Sequence, residues 1–197
     1  VYGGLTWTKL FDRVEAIHAA AYRLWEADVD GIYFFNLLSP NYYGCLKEIG
    51  DPRLLARKNK LYRIDPNRKK VGYMNNSLWP GQLPLALTCQ SGANRTELRL
   101  EISDRPESAH STTVQMGWEA GVDEKRLHWK INGLPLSKGR RIPPPVDGGE
   151  NQWWEFATKG AKKGINTLEL TVSAPANSDT ARPVVLNQLR MTINYPN

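Results

Sequence analysis

Apolar residues recur at Leu10, Phe11, Val14, Ile17, Ala21, Leu24 and Trp25, with His18 on the same stripe. Steps of three and four predict an amphipathic helix that stops near Ala27. Thr6 or Thr8 is the expected cap, and Asp12 and Glu15 lie where the helix dipole favours acids. After Asp30-Gly31 the run 32–38 is almost continuously apolar, the pattern of a strand covered on both faces and therefore parallel to its neighbours. Ser39-Pro40-Asn41 ends it; helices are expected over 42–49 and 52–58, and 2–7 reads as an earlier strand. Strand, helix, strand, helix is the unit of an α/β barrel or a doubly wound sheet. One such unit leaves apolar edges bare, so it is expected to need further strands from an upstream portion or a neighbouring chain. Residue 1 is valine and no charged-then-apolar leader follows, so a processed, truncated or excised chain is expected.

Beyond residue 70 the period changes from helical to two. Segments 83–88, 97–102, 112–118, 127–131, 153–157, 167–172 and 184–193 read as strands, with clear alternation in Leu98-Arg99-Leu100-Glu101-Ile102 and Leu168-Glu169-Leu170-Thr171-Val172. Asp104-Arg105-Pro106, Asn132-Gly133, Pro143-Pro144-Pro145, Gly148-Gly149 and Lys163-Gly164 punctuate them. Short antiparallel strands at this spacing imply a two-sheet sandwich of jelly-roll type. The fold expected is thus α/β plus all-β: residues 1–70 as a βαβα unit of a barrel or doubly wound sheet with a basic linker, which the resemblance given below makes the C-terminal fragment of a barrel, and 71–197 as the sandwich. The join falls near Asp65-Pro66-Asn67.

Composition adds limits. Apolar residues make up 41% of the 197, enough for a real core and too many for a disordered chain. No stretch of 18 apolar residues exists, so no membrane-spanning helix is expected. The net charge of +6 is concentrated between Arg53 and Lys70, where eight basic residues face only Asp65, leaving the remainder close to neutral. Tyr62 is the only aromatic residue in that run, and no reading helix or zinc ligand set accompanies it. The run is therefore read as a solvated linker or interdomain ion-pair surface, and not as a nucleic-acid site.

Cys45 and Cys89 lack neighbouring Cys or His, so metal-site spacing is absent; they fit two thiols or one disulfide. His18, His110 and His128 are scattered, and His18 lies on the helix stripe, where a structural role is expected. Glu26, Asp28 and Asp30 precede the buried strand, on the side of a barrel opposite its chemistry. Asp123, Glu124, Asp147 and Glu150 fall in predicted loops without the dense alternation of a calcium loop. Neither a metal nor a cofactor is expected.

The stretch Ala27-Asp28-Val29-Asp30-Gly31-Ile32-Tyr33-Phe34-Phe35-Asn36, followed by Leu46-Lys47-Glu48-Ile49-Gly50-Asp51-Pro52, resembles the closing strand and helix of glycoside-hydrolase-like (β/α)8 barrels in secreted bacterial proteins. Lys130-Ile131-Asn132-Gly133, Trp153-Trp154, Gly164-Ile165-Asn166-Thr167-Leu168-Glu169-Leu170 and the segment from Val184 to Tyr195 resemble the galactose-binding-like sandwiches appended to such barrels. The resemblance implies a secreted or periplasmic polysaccharide-acting parent protein, with an oligosaccharide or polysaccharide as partner. Catalysis in such barrels draws on two carboxylates from middle strands, so this chain is expected to supply none of the catalytic residues. Asn36 at its strand exit, with Trp7 and Tyr42 beside it, is the candidate for substrate contact in the barrel part. In the sandwich the candidates are Trp153 and Trp154, adjacent residues that must point to opposite faces of a strand, one into the core and one outward for sugar stacking. A non-catalytic region that packs on a barrel and contacts carbohydrate is the leading expectation. A purely structural module, or part of a hydrolase completed by another chain, is the alternative.

Overall fold

The computed structural model describes residues 1–6, 13–35, 40–64, 82–88, 92–136, 138–146, 148–174 and 183–196. In the N-terminal part, β1 (Tyr2–Thr6) and β2 (Gly31–Phe35) pair in parallel, joined through α1 (Val14–Glu26). Ile17 and Ala21 from α1 meet Leu5, Cys45, Ile49 and Leu55 in a small core. The stripe is as expected, but the cap is not: the helix begins after Arg13, which makes no side-chain cap, so Thr6 lies too far upstream to serve. Ala27 closes the helix, and Trp25 Nε1 donates to the Ile49 carbonyl at 2.8 Å, tying its end to a run of short helices. That run is a 3-10 turn at Pro40–Cys45, then α2 (Leu46–Ile49) and α3 (Pro52–Leu55). Asp51 caps α3 by accepting from Arg53 N at 2.9 Å, and Pro52 occupies the first turn, where no backbone donor is needed.

The rest is β-rich and antiparallel. One sheet runs β3 (Lys60–Ile64), β12 (Val184–Asn194), β6 (Ser111–Trp118), β10 (Gln152–Ala157), β9 (Arg140–Ile142), with β4 (Leu85–Leu87) also paired to β12. The other runs β5 (Ala93–Ile102), β11 (Gly164–Ser173), β7 (Leu127–Ile131), β8 (Leu134–Pro135). Their facing side chains form one core: Leu98, Leu100, Trp129, Ile131, Leu168 and Leu170 against Val114, Met116, Trp118, Trp154, Leu189 and Met191. Each fully buried aliphatic side chain contributes roughly 1.5–3 kcal/mol.

The basic run departs from expectation. Lys60–Ile64 is not a solvated linker but a strand of the larger sheet, in register with Leu189–Ile193 of β12. Its apolar side chains explain this: Leu61 and Tyr62 are buried, a gain that solvated lysines alone could not offer. Of the same run, residues 65–70 lie outside the described residues.

The Asn132-Gly133 turn matches its sequence signal. Both residues have positive φ, 51° and 82°, as a two-residue hairpin between β7 and β8 requires. Asn132 Nδ2 donates to Gly160 O and Asn166 Oδ1, while its Oδ1 accepts from Thr167 N. Asn166, fully buried, is bonded in turn to Lys162 and Gly164. Both asparagines of the sandwich-like motifs therefore hold backbone in place.

Candidate functional site

A cleft of about 510 Å³, lined by residues of both sheets, opens beside β7. β8 is only two residues long and covers β7 at Lys130 and Ile131 alone, and this short cover leaves the cleft its opening. Trp118, Trp129, Trp154 and Phe156 line it from the core side. Trp118 and Trp129 meet edge to face, ring centroids 5.3 Å apart. Because side chains alternate along a strand, His128 and Lys130 flank Trp129 on the outer face. Arg95, Glu169 and Thr171 continue that face on β5 and β11, and Lys125 and Lys138 stand on the adjoining loops.

Two carboxylates line the cleft, and each is engaged. Glu124 accepts from Trp154 Nε1 at 2.7 Å, and Glu169 accepts from Arg95 Nη2 at 2.7 Å. The Glu124 turn is set by Asp123, whose side chain accepts from Lys125 N, and by Arg126 Nε, which donates to Ser173 O.

Trp153 and Trp154 do point to opposite faces, but neither is outward. Trp154 joins the inter-sheet core and is 5% exposed; Trp153, on the other face, is 0% exposed. Gly117, directly across the ladder, leaves room for the Trp153 indole: a Cβ there would stand 2.7 Å from its ring. Gly148 packs against the same ring, and the Arg190 guanidinium lies 4.6 Å from its centroid. The expected open stacking platform is thus closed by a residue missing its side chain, a loop and a buried cation. Trp154 is the member of the pair that reaches the cleft.

Trp7 and Asn36 lie outside the described residues. Tyr42 falls within the 3-10 turn Pro40–Cys45, and its side chain lies outside the described residues. The acidic trio is dispersed: Glu26 pairs with Lys163, Asp30 with the N-terminal ammonium, and Asp28 occupies a turn at φ 59°. Among the described residues no group of three His, Cys, Asp or Glu side chains is placed to hold a metal ion. Cys45 is buried, and burial raises its thiol pKa; Cys89 lies outside the described residues.

Two further polar centres surround α1. His18 is bonded on both ring nitrogens, by Nδ1 to Asn59 O at 3.1 Å and by Nε2 to Glu48 at 3.0 Å, in a shallow recess shared with Lys58. Burial would raise the Glu48 carboxyl, but Lys58 and His18 outweigh it and hold it below its usual range. Deeper, Lys60 and Asp104 form an ion pair at 2.9 Å with both side chains almost wholly buried. Lys60 Nζ also donates to the carbonyls of Ala56 and Lys58 and lies between the Tyr22 and Tyr195 rings, 4.6 and 4.9 Å from their centroids. Sequence reasoning missed this centre because a lysine in a basic run reads as solvated. The one signal for it was its place beside Leu61 and Tyr62.

No protein-family model matches the chain, and no curated protein matches it. Among solved structures the chain is similar to the crystal structure of a BuGH86 variant in complex with neoagarooctaose. The identity is 11% and the TM-score 0.44, over 71% of this chain and 19% of that one. This chain therefore spans less than a fifth of that protein's length.

Proposed function

We propose that the chain is a non-catalytic region of a glycoside-hydrolase-like protein, a closing βαβ segment of an α/β barrel joined to a jelly-roll-type sandwich that binds carbohydrate. The observation that carries the reading is the β7 cleft, whose tryptophan floor and donor-bearing rim combine apolar contact with a few directional polar groups. With the indoles so buried, a saccharide would meet ring edges and rim side chains rather than a stacking face. The parallel pair β1–β2, apolar on an exposed side at Tyr33 and Phe35, supports further strands or helices as its natural cover.

Affinity electrophoresis through polysaccharide gels tests the reading. Retardation by at least one polysaccharide is expected, and Lys130→Ala with Trp154→Phe should weaken it while the melting profile of Lys130→Ala stays intact. Unaltered mobility in every gel, or retardation indifferent to both substitutions, contradicts it. The structural alternative has its own observation, the Lys60–Asp104 centre locking α1 to the sandwich, and it gains if no polysaccharide binds.

A further inference from the structure

We infer that the β7 cleft selects an anionic saccharide, with its carboxylate or sulfate groups met by Lys125, Lys130 and Lys138; this rests on the saccharide reading above. The charges of the cleft decide it. Arg95, Lys125, Lys130 and Lys138 face Glu124 and Glu169. Arg95 is spent on Glu169, which it meets at 2.7 Å, and it also lies 3.6 Å from Glu97. Glu124 is turned to the Trp154 indole at 2.7 Å. The three lysines have no ion-pair partner among the described residues, and all three are exposed.

Hydrogen-bond capacity has the same sign. One oxygen of each cleft carboxylate is already bonded, Glu124 to the Trp154 indole and Glu169 to Arg95, whereas the three exposed ammonium groups have no ion-pair partner among the described residues. A site rich in spare donors suits a ligand rich in acceptors, and charge-assisted bonds from ammonium to carboxylate or sulfate are about twice as strong as neutral ones. A neutral glycan also brings acceptor oxygens, but it carries no charge and would leave the lysines unneutralised. Separate ammonium groups on flexible stems, rather than a rigid guanidinium fork, fit anionic groups spaced along a chain.

Matched polymers separate the charge from the sugar: dextran against dextran sulfate, and methyl-esterified pectin against de-esterified pectate, each by calorimetry with the intact chain. Tighter binding of at least one charged form, by about tenfold or more, with affinity falling as salt rises, is expected. The triple variant Lys125→Gln, Lys130→Gln, Lys138→Gln should abolish that preference, while Lys47→Gln on α2, remote from the cleft, should keep it. Sulfate or carboxylate as the recognised group is read from which pair shows the difference. Equal binding of charged and neutral forms overturns the inference and leaves the saccharide reading standing. Failure of all four polymers to bind overturns both. Equal binding of inorganic polyphosphate or duplex DNA, or a preference that survives in the triple variant, assigns the effect to a general polyanion surface and overturns the inference.

Discussion

Lys60 and its partners show how one buried charge is made tolerable. Burial lowers its pKa and Asp104 pulls it partly back. Removing one member of such a pair leaves the other uncompensated, so Asp104→Asn should cost about 3–5 kcal/mol in denaturant unfolding. The neighbouring phenols shift the other way: burial raises Tyr62, and burial with the Asp104 hydrogen bond raises Tyr195. Between its lowered folded value and the ordinary 10.5, Lys60 binds fewer protons folded than unfolded, so stability rises with pH in that window. Above the ordinary tyrosine value of 10.0 the folded phenols keep protons that the unfolded chain gives up, so stability falls. Urea midpoints from pH 7 to 11.5 should climb and then turn over near pH 10, and Tyr195→Phe should flatten only the falling limb. The series belongs in a Cys45→Ala background, because the raised thiol adds its own fall above its ordinary 9.0; a stability that falls throughout the window there contradicts the lowered lysine value. Apart from the apolar neighbours Leu61 and Tyr62, the residue string does not announce this cluster: the register of β3 on β12 brings Lys60 towards Tyr195, and Asp104 arrives from the end of β5 in the other sheet.

At the scale of elements, the clean periods were readable and the mixed ones were not. Leu98 to Ile102 and Leu168 to Val172 alternate because one face meets the core and the other meets water, and the two segments pair in the register Leu168↔Leu98. β3 escaped notice because both of its faces are covered and one bears a lysine, so no polar face marks the period. Trp153 was misread for a related reason: its cover comes from Gly117 and Gly148, residues whose part in packing is to be absent. A glycine inside a strand is the sequence clue to such close approach. The cleft was half legible, in Trp154 but not in the rim, which depends on the pairing of β5, β11 and β7. The βαβ segment offers the converse case, an element well read but thinly supported. Among the described residues β1 and β2 pair only with each other, and Tyr2, Tyr33 and Phe35 are 78%, 58% and 49% exposed. Their amides should exchange with deuterium at least about a hundredfold faster than those of β11, which is paired on both sides. Equal protection in the isolated chain would show that this pair is covered.

Across the whole molecule, the question is whether α1 and the sandwich are one cooperative body. Three kinds of contact join them. Arg23 pairs with Glu101 on β5, and Glu26 pairs with Lys163 before β11, but these ions are largely exposed and such pairs contribute only about 0.2–1 kcal/mol each. α1 also rests on β3, itself a strand of the larger sheet. The third contact is the buried one, with Tyr22 of α1 and Tyr195 after β12 enclosing the Lys60 ammonium. If the buried contact carries the coupling, the described α-helices, all within the first 55 residues, cannot melt while the sandwich persists. Ellipticity at 222 nm and the fluorescence to which Trp118, Trp129, Trp153 and Trp154 contribute should then give coincident thermal transitions. The double variant Arg23→Ala, Lys163→Ala should keep them coincident with a small drop in midpoint, whereas Asp104→Asn should make the helical signal melt first. Two resolved transitions in the unaltered chain would mean that the N-terminal segment leans on the sandwich without sharing its stability, and the Lys60 centre would then be a local solution to burial rather than a coupling.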